Sequence, residues 1–224
     1  MAGQNDLYTW CRDHRLHHKY SETDADPHNS NRGFFFSHVG WLLTKKHPDV
    51  IIKGKTIDCS DLLNDPVVRF QRKYYPWMFL FFCFFLPTYL CRLIFGNSWK
   101  DAFMVGCFGR YIVSLHTTWF VNSAAHMFGD RPFNEKIAAR DNLGVALPLW
   151  ATEGFHNYHH VFPWDYRISE MGFHNYNPFA RLIDFFAKIG LACDLKRPSD
   201  ELIAKVKANA HKEKPHAYDE PHEF

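Results

Sequence analysis

The longest apolar run in the chain, YYPWMFLFFCFFLPTYLC at residues 74–91, holds 18 consecutive residues without a charge. That is close to the roughly 20 residues a helix needs to cross a bilayer. Its flanks suit an interface: Gln71, Arg72 and Lys73 precede it, Tyr74, Tyr75 and Trp77 fall at head-group depth, and Arg92 follows. Pro87 should kink this helix, which membrane helices tolerate. A second run, AFMVGCFGRYIVSLHTTWFVNSAA at residues 102–125, is interrupted by Arg110 and His116. An ionisable group inside a span turns toward the bundle or marks function. The connection GNSWKD, residues 96–101, is short, so the pattern predicts an antiparallel hairpin of helices at about 74–94 and 102–125.

Outside the hairpin the pattern changes. TDADPHNSNRG, residues 23–33, is a polar turn region, and GFFFSHVGWLL, residues 33–43, predicts a helix lying in the interface. Asn177 and Pro178 mark a helix start, and Phe179, Leu182, Ile183, Phe186 and Ile189 form one apolar stripe before Gly190. From Lys196 the chain is charged and poor in apolar residues, so 196–224 is expected to be disordered apart from a helix after Ser199. Of 26 Lys and Arg, 11 precede residue 74 and 12 follow residue 125. Both long flanks, 1–73 and 126–195 with the tail, are therefore expected on the cytosolic side. The resulting fold class is all-α: a membrane hairpin carrying a cytosolic helical cap.

Composition adds two exclusions. The net charge is only +2 and no groove-reading motif occurs, which argues against a nucleic-acid partner. The six cysteines form no C-x-x-C pair and no disulfide framework, which fits a reducing or membrane setting better than secretion.

Histidine carries the chemistry. RDHRLHHKY places His14, His17 and His18 at i, i+3 and i+4, and EGFHNYHH places His156, His159 and His160 at the same spacing. VNSAAHMF adds Asn122 and His126 at i, i+4. On helices each set shares one face. Two matched H-x-x-H-H clusters of imidazoles that would repel when protonated point to a metal. Neither box has the glutamate of an H-E-x-x-H zinc site, and imidazole suits zinc, copper, iron and nickel alike, so ligand type leaves the ion open.

HRLHH, NSAAH and EGFHNYHH, with GFFFSHVGWLL and DPHNS between them, resemble the membrane-bound acyl-CoA desaturases of the stearoyl-CoA desaturase group. The resemblance runs from Gln4 to about residue 195, and YSETDADPHN with KYY is nearest to arthropod members. It implies O2-dependent insertion of a cis double bond, expected at delta-9, into a saturated fatty acyl-CoA in the endoplasmic reticulum membrane. It also implies two histidine-bound irons and cytochrome b5 as electron donor. Removing hydrogen from an unactivated methylene needs an oxidant that iron and O2 can form and redox-inert zinc cannot. By the resemblance the iron ligands are His14, His17, His18, His126, His156, His159 and His160, with Asn122 acting through a water. Gln4, Trp10 and Thr118, next to Trp119, match positions that shape the bend of the acyl tunnel. Asn5, Arg12, Asp13, Lys45 and Lys46 match the region that meets the CoA head group.

One departure counters the match. The family's first histidine box, H-x-x-x-x-H, and its first two spans precede the segment matching MAGQNDLYTW. The chain is therefore expected to be a fragment or truncated product, inactive by itself, whose exposed faces seek lipid or another subunit, including a homo-oligomer. The alternative is a non-catalytic membrane protein that binds metal weakly or pairs with a full-length desaturase.

Overall fold

The computed structural model describes residues 3–146, 154–169 and 177–210. Every regular element among them is helical, with only isolated bridges at Asp130–Asp141 and Asp141–Phe155. The chain divides into two compact units, Met1–Trp119 and Phe120–Phe224.

In the first unit, α1 (Leu7–Tyr20) starts where Asp6 accepts a bond from the Thr9 N–H at 3.1 Å. Leu16 on α1 packs toward Gly54 at the end of α2 (Pro48–Gly54), with Val50 and Cys59 buried as well. The polar loop after α1 folds around two carboxylates. Glu22 accepts from the Ser30 N–H at 2.8 Å and its hydroxyl at 2.7 Å, and Asp26 accepts from the N–H groups of Glu22 and His28. Asn29 then caps a short turn, and a π-helical segment, Phe36–Gly40, follows in the stretch expected to be an interfacial helix.

The hairpin is built from α3 (Pro66–Phe95) and α4 (99–122). Helix α3 begins eight residues ahead of its apolar run because Asp65 caps it, accepting from Val67 at 2.7 Å and Val68 at 3.1 Å, with Pro66 at the first position. It ends at Gly96, whose φ of 67° closes the last turn with a bond to the Arg92 carbonyl. Ser98 caps α4. The two helices run antiparallel: Phe79 meets Tyr111, Cys83 meets Cys107, and Pro87 with Cys91 meets Gly106. At Gly106 a Cβ would stand 2.6 Å from the Cys91 Cβ and 2.9 Å from the Pro87 carbonyl oxygen, so this crossing requires glycine.

Arg110 has a partner that its apolar surroundings do not suggest. Pro87 has no N–H to offer the Cys83 carbonyl four residues back. Arg110 Nη2 donates to that carbonyl at 2.8 Å, while Nε donates to the Gly106 carbonyl at 3.2 Å. The guanidinium thus satisfies backbone where both helices carry π-helical segments, Leu80–Phe85 and Phe103–Gly109. Helix α3 is long and apolar enough to cross a membrane, and only 11% of its most apolar window is buried. Phe81, Phe85, Leu93, Ile94 and Phe95 point outward from it.

The second unit contains α5 (Ala124–Met127), α6 (His156–Val161), α7 (Pro178–Lys188) and α8 (Asp200–Ala210). Its core is Phe133, Tyr158, Phe162 and Ile203. Where the sequence predicts a helix in an otherwise charge-rich tail, Asp200–Ala210 is helical after a Ser199 cap. Ile203 at 1% exposure anchors it. The rest of the tail expected to be disordered, residues 211–224, lies outside the described residues. Asn177 caps α7 through bonds from Phe179 and Ala180, and its amide donates to the Arg167 carbonyl at 2.7 Å. The α7 stripe faces outward, with Phe179, Leu182, Phe186 and Ile189 exposed.

Candidate metal centre

In the first unit the three histidines of HRLHH leave α1 from one face, as their spacing predicts. His14 and His18 bring their Nε2 atoms to 3.2 Å, and the indole of Trp10 stacks on His14 at 4.7 Å. His17 is buried and turns the other way about its ring: Nδ1 faces both oxygens of Asp26 at 3.0 Å. An Nδ1–H held by a carboxylate leaves Nε2 as the lone-pair nitrogen, the arrangement of a metal-ligating histidine. Burial pushes the Asp26 carboxyl up to about 7, against the backbone N–H bonds from Glu22 and His28. His28 completes a buried trio with His17 and Asp26, all three offering a ligand atom within 4.8 Å of the others.

In the second unit His156, His159 and His160 sit on α6. Phe155 cannot cap this helix, so Asp141 does so from another part of the chain. It accepts from the N–H groups of Asn157 at 2.7 Å and Tyr158 at 3.2 Å. The opposite side of α6 is held by Asn157, whose Oδ1 accepts from Phe133 and Asn134 while its amide donates to the carbonyls of Asn134 and Ala139. Tyr158 donates to Asp165 at 2.6 Å, and Arg167 binds the same carboxylate through two nitrogens. With that side fixed, the histidine face is fixed too. His156 Nε2 lies 2.8 Å from His126 Nε2 and 3.1 Å from His160 Nε2. His159 is half-buried, and desolvation followed by repulsion from His126 brings its imidazole down to about 4, so it is neutral at physiological pH.

These distances fit a cation. A neutral Nε2 carries either one proton or one lone pair, so His156 cannot serve two facing Nε2 atoms by hydrogen bonding. Two nitrogens each about 2.1 Å from one ion, at right angles, stand about 3.0 Å apart. His156 meets that spacing with both His126 and His160. Asn122 does not share a helix with His126, as i, i+4 spacing would require. Helix α4 ends at Asn122, and the buried Ser123 with φ −109° and ψ −72° breaks the chain direction before α5.

The other expected site residues fall in two places in the first unit. Gln4 donates to the Thr118 hydroxyl at 2.8 Å although 114 residues separate them, and Asn5 beside it takes a positive φ of 76°. Trp119 sets its ring edge against His116 at 5.0 Å. Elsewhere Asp13 receives Arg12 at 2.7 Å and Lys46 at 2.8 Å. Arg12, Asp13 and Lys46 line a cleft of about 270 Å³ with Tyr8, Ile51 and Lys55, while Lys45 is exposed.

Residues 1–195 match the fatty acid desaturase family. The chain belongs to that family. Stearoyl-CoA desaturase 5 of Homo sapiens is 54% identical over 208 residues, which is 93% of this chain and 62% of that protein. Acyl-CoA Delta-9 desaturase of Acheta domesticus is 55% identical over 205 residues, 92% of this chain and 57% of the relative. Acyl-CoA Delta(11) desaturase of Spodoptera littoralis is 54% identical over 203 residues, 91% and 60%. The chain spans about three fifths of the length of these desaturases.

Sequence reasoning missed Asp26 and His28 as partners of the chain's histidines. The D-P-H spacing, which lets one carboxylate serve two nearby rings, is the signal that could have found them. Asp141 and Asn157 left no local signal, because their partners are 16 and 24 residues away.

Proposed function

We propose that this chain carries most of the catalytic apparatus of an acyl-CoA desaturase, one that inserts a cis double bond at delta-9 of a saturated acyl-CoA. The convergence of His126, His156 and His160 in a fatty acid desaturase supports this reading most directly. His14, His17 and His18 of one unit, with His126, His156, His159 and His160 of the other, serve as ligands of two irons, and Asn122 acts through a water. Iron, when bound, supplies an O2-derived oxidant strong enough for an unactivated methylene. The overall change removes two hydrogens from adjacent carbons, and O2 with two electrons and two protons leaves as two waters. Cytochrome b5 is the electron donor.

The protein side chains position and shield. Asp26 fixes the His17 tautomer, and Asp141 with Asn157 holds α6 so that its imidazoles arrive already oriented. Arg12, Lys46 and Lys55 around the cleft suit the phosphates of CoA. Gln4 and Thr118, with Trp10 and Trp119, shape the bend that presents one pair of methylenes. Helices α3 and α4 span the endoplasmic reticulum membrane with both termini cytosolic, since basic residues crowd both flanks.

The test is a chimera in which this chain replaces the matching part of human stearoyl-CoA desaturase 5, expressed in a desaturase-deficient yeast. Growth without unsaturated fatty acid is expected, with monounsaturated products. His14→Ala or His160→Ala should abolish growth and lower the iron content of the purified protein. No product from the parent chimera, despite normal accumulation, would favour a non-catalytic role; full activity in either variant would refute the ligand set.

A further inference from the structure

His38 and His116 are 78 residues apart, and His38 Nε2 meets His116 Nδ1 at 2.9 Å. His38 is buried on the π-helical segment Phe36–Gly40, and His116 is exposed on α4 among Ile112, Val113 and Phe120. An imidazole on such a face is costly unless its polar edge is used. Here it is used on His38. The pair also touches Trp119. The Trp119 indole stands edge-on to His116 at 5.0 Å and to His38 at 5.7 Å, both at 73°. The backbone of Trp119 also hydrogen-bonds the His38 ring, and Phe34 stacks on that ring at 5.4 Å. Thr118, the preceding residue, is fixed by Gln4.

We infer that the His38–His116 pair is a positioning device for Trp119, and through it sets which acyl chain length and which carbon the desaturase prefers. The inference rests on the proposed acyl-CoA desaturase function. A hydrogen bond between two flat rings fixes their planes, and the indole can then occupy one rotamer against them. Losing that bond removes a constraint on the plane of the His116 ring, and the wall set against Trp119 shifts with it. A ring at the bend of an acyl path decides specificity by excluded volume, where a displacement the size of one methylene already discriminates.

The experiment compares His116→Leu and His116→Asn in the chimera described above, supplied with palmitate and stearate. Leucine cannot bond His38, whereas the asparagine amide places a hydrogen-bonding atom near the position of Nδ1. His116→Leu should change the ratio of C16 to C18 products, or of double-bond positions, by about fivefold or more. His116→Asn should restore the parent profile, with iron content equal in all three proteins. Trp119→Leu should shift the profile in the same direction as His116→Leu. An unchanged product profile in His116→Leu, whatever its turnover, overturns the inference. If His116→Leu fails to accumulate, His116→Ala carries the same comparison. A parent chimera that makes no product fails the functional reading instead, and this inference falls with it.

Discussion

His17 presents Nδ1 to both carboxylate oxygens of Asp26 at 3.0 Å, so the Asp26 side chain decides which nitrogen of a buried histidine is left to bind metal. Three backbone and side-chain donors converge on this one carboxylate: the N–H groups of Glu22 and His28 and the His17 ring. A loop that looks merely polar in sequence therefore supports a proposed ligand.

Asp26→Asn should weaken metal binding by about 10–100-fold while the protein still folds, because the amide keeps the shape but offers only one acceptor oxygen. Titration of the purified protein with Fe(II) or Co(II), beside a thermal scan, measures both quantities. Unchanged affinity would remove Asp26 from the support of the site.

Asn157→Leu tests how α6 is held. The substitution keeps the volume but strands the N–H groups of Phe133 and Asn134 and the carbonyls of Asn134 and Ala139. Leaving buried polar groups unsatisfied costs about 1–3 kcal/mol each, so a loss of several kcal/mol is expected. Asp141→Ala removes only the cap and should cost about 0.5–2 kcal/mol. Urea unfolding of the detergent-solubilised protein should rank the two in that order, and the reverse order would show that Asp141 does more than cap.

The histidine boxes were legible because helical spacing is local and α1 and α6 realise it, whereas the groups that hold α6 in place, Asp141 and the partners of Asn157, are distant in sequence. The long apolar helix α3 was legible for the same reason, since apolar length is a local property. Arg110 was not, because its role depends on a missing N–H at Pro87, on the other helix. The break at Ser123, which separates Asn122 from His126, was not legible either: VNSAAH has good helical spacing, and nothing within it announces the turn.

Gly106→Val should split the helix pair. The added Cβ would lie 2.9 Å from the Pro87 carbonyl oxygen, and backbone cannot step aside as a side chain can. Overpacking of this kind costs about 1–3 kcal/mol. Cysteine crosslinking between the native Cys83 and Cys107, whose sulfur lies 3.8 Å from the Cys83 carbonyl, reports the crossing directly. A much lower crosslinking yield is expected in the variant, and an equal yield would show that the helices tolerate the bulk.

The orientation of the hairpin follows from length and charge together. Helix α3 has 30 residues, about 45 Å at 1.5 Å per residue, against a hydrocarbon core of about 30 Å. The excess lies at its N-terminal end, where Arg69, Arg72 and Lys73 precede the uncharged run, so this end stays with the basic flank. The proposed topology therefore predicts a lumenal connection at Gly96–Ser98. Glycosylation acceptors introduced at residue 97, with spacers to reach the transferase, and near residue 210 should be modified at the first site only. The histidines of α1 precede α3 and those of α6 follow α4, so the proposed topology, with an even number of crossings between the two boxes, predicts that both are cytosolic. Modification near residue 210 would mean an odd number of crossings between the boxes. Seven imidazoles on opposite faces of a membrane could not share one di-iron centre.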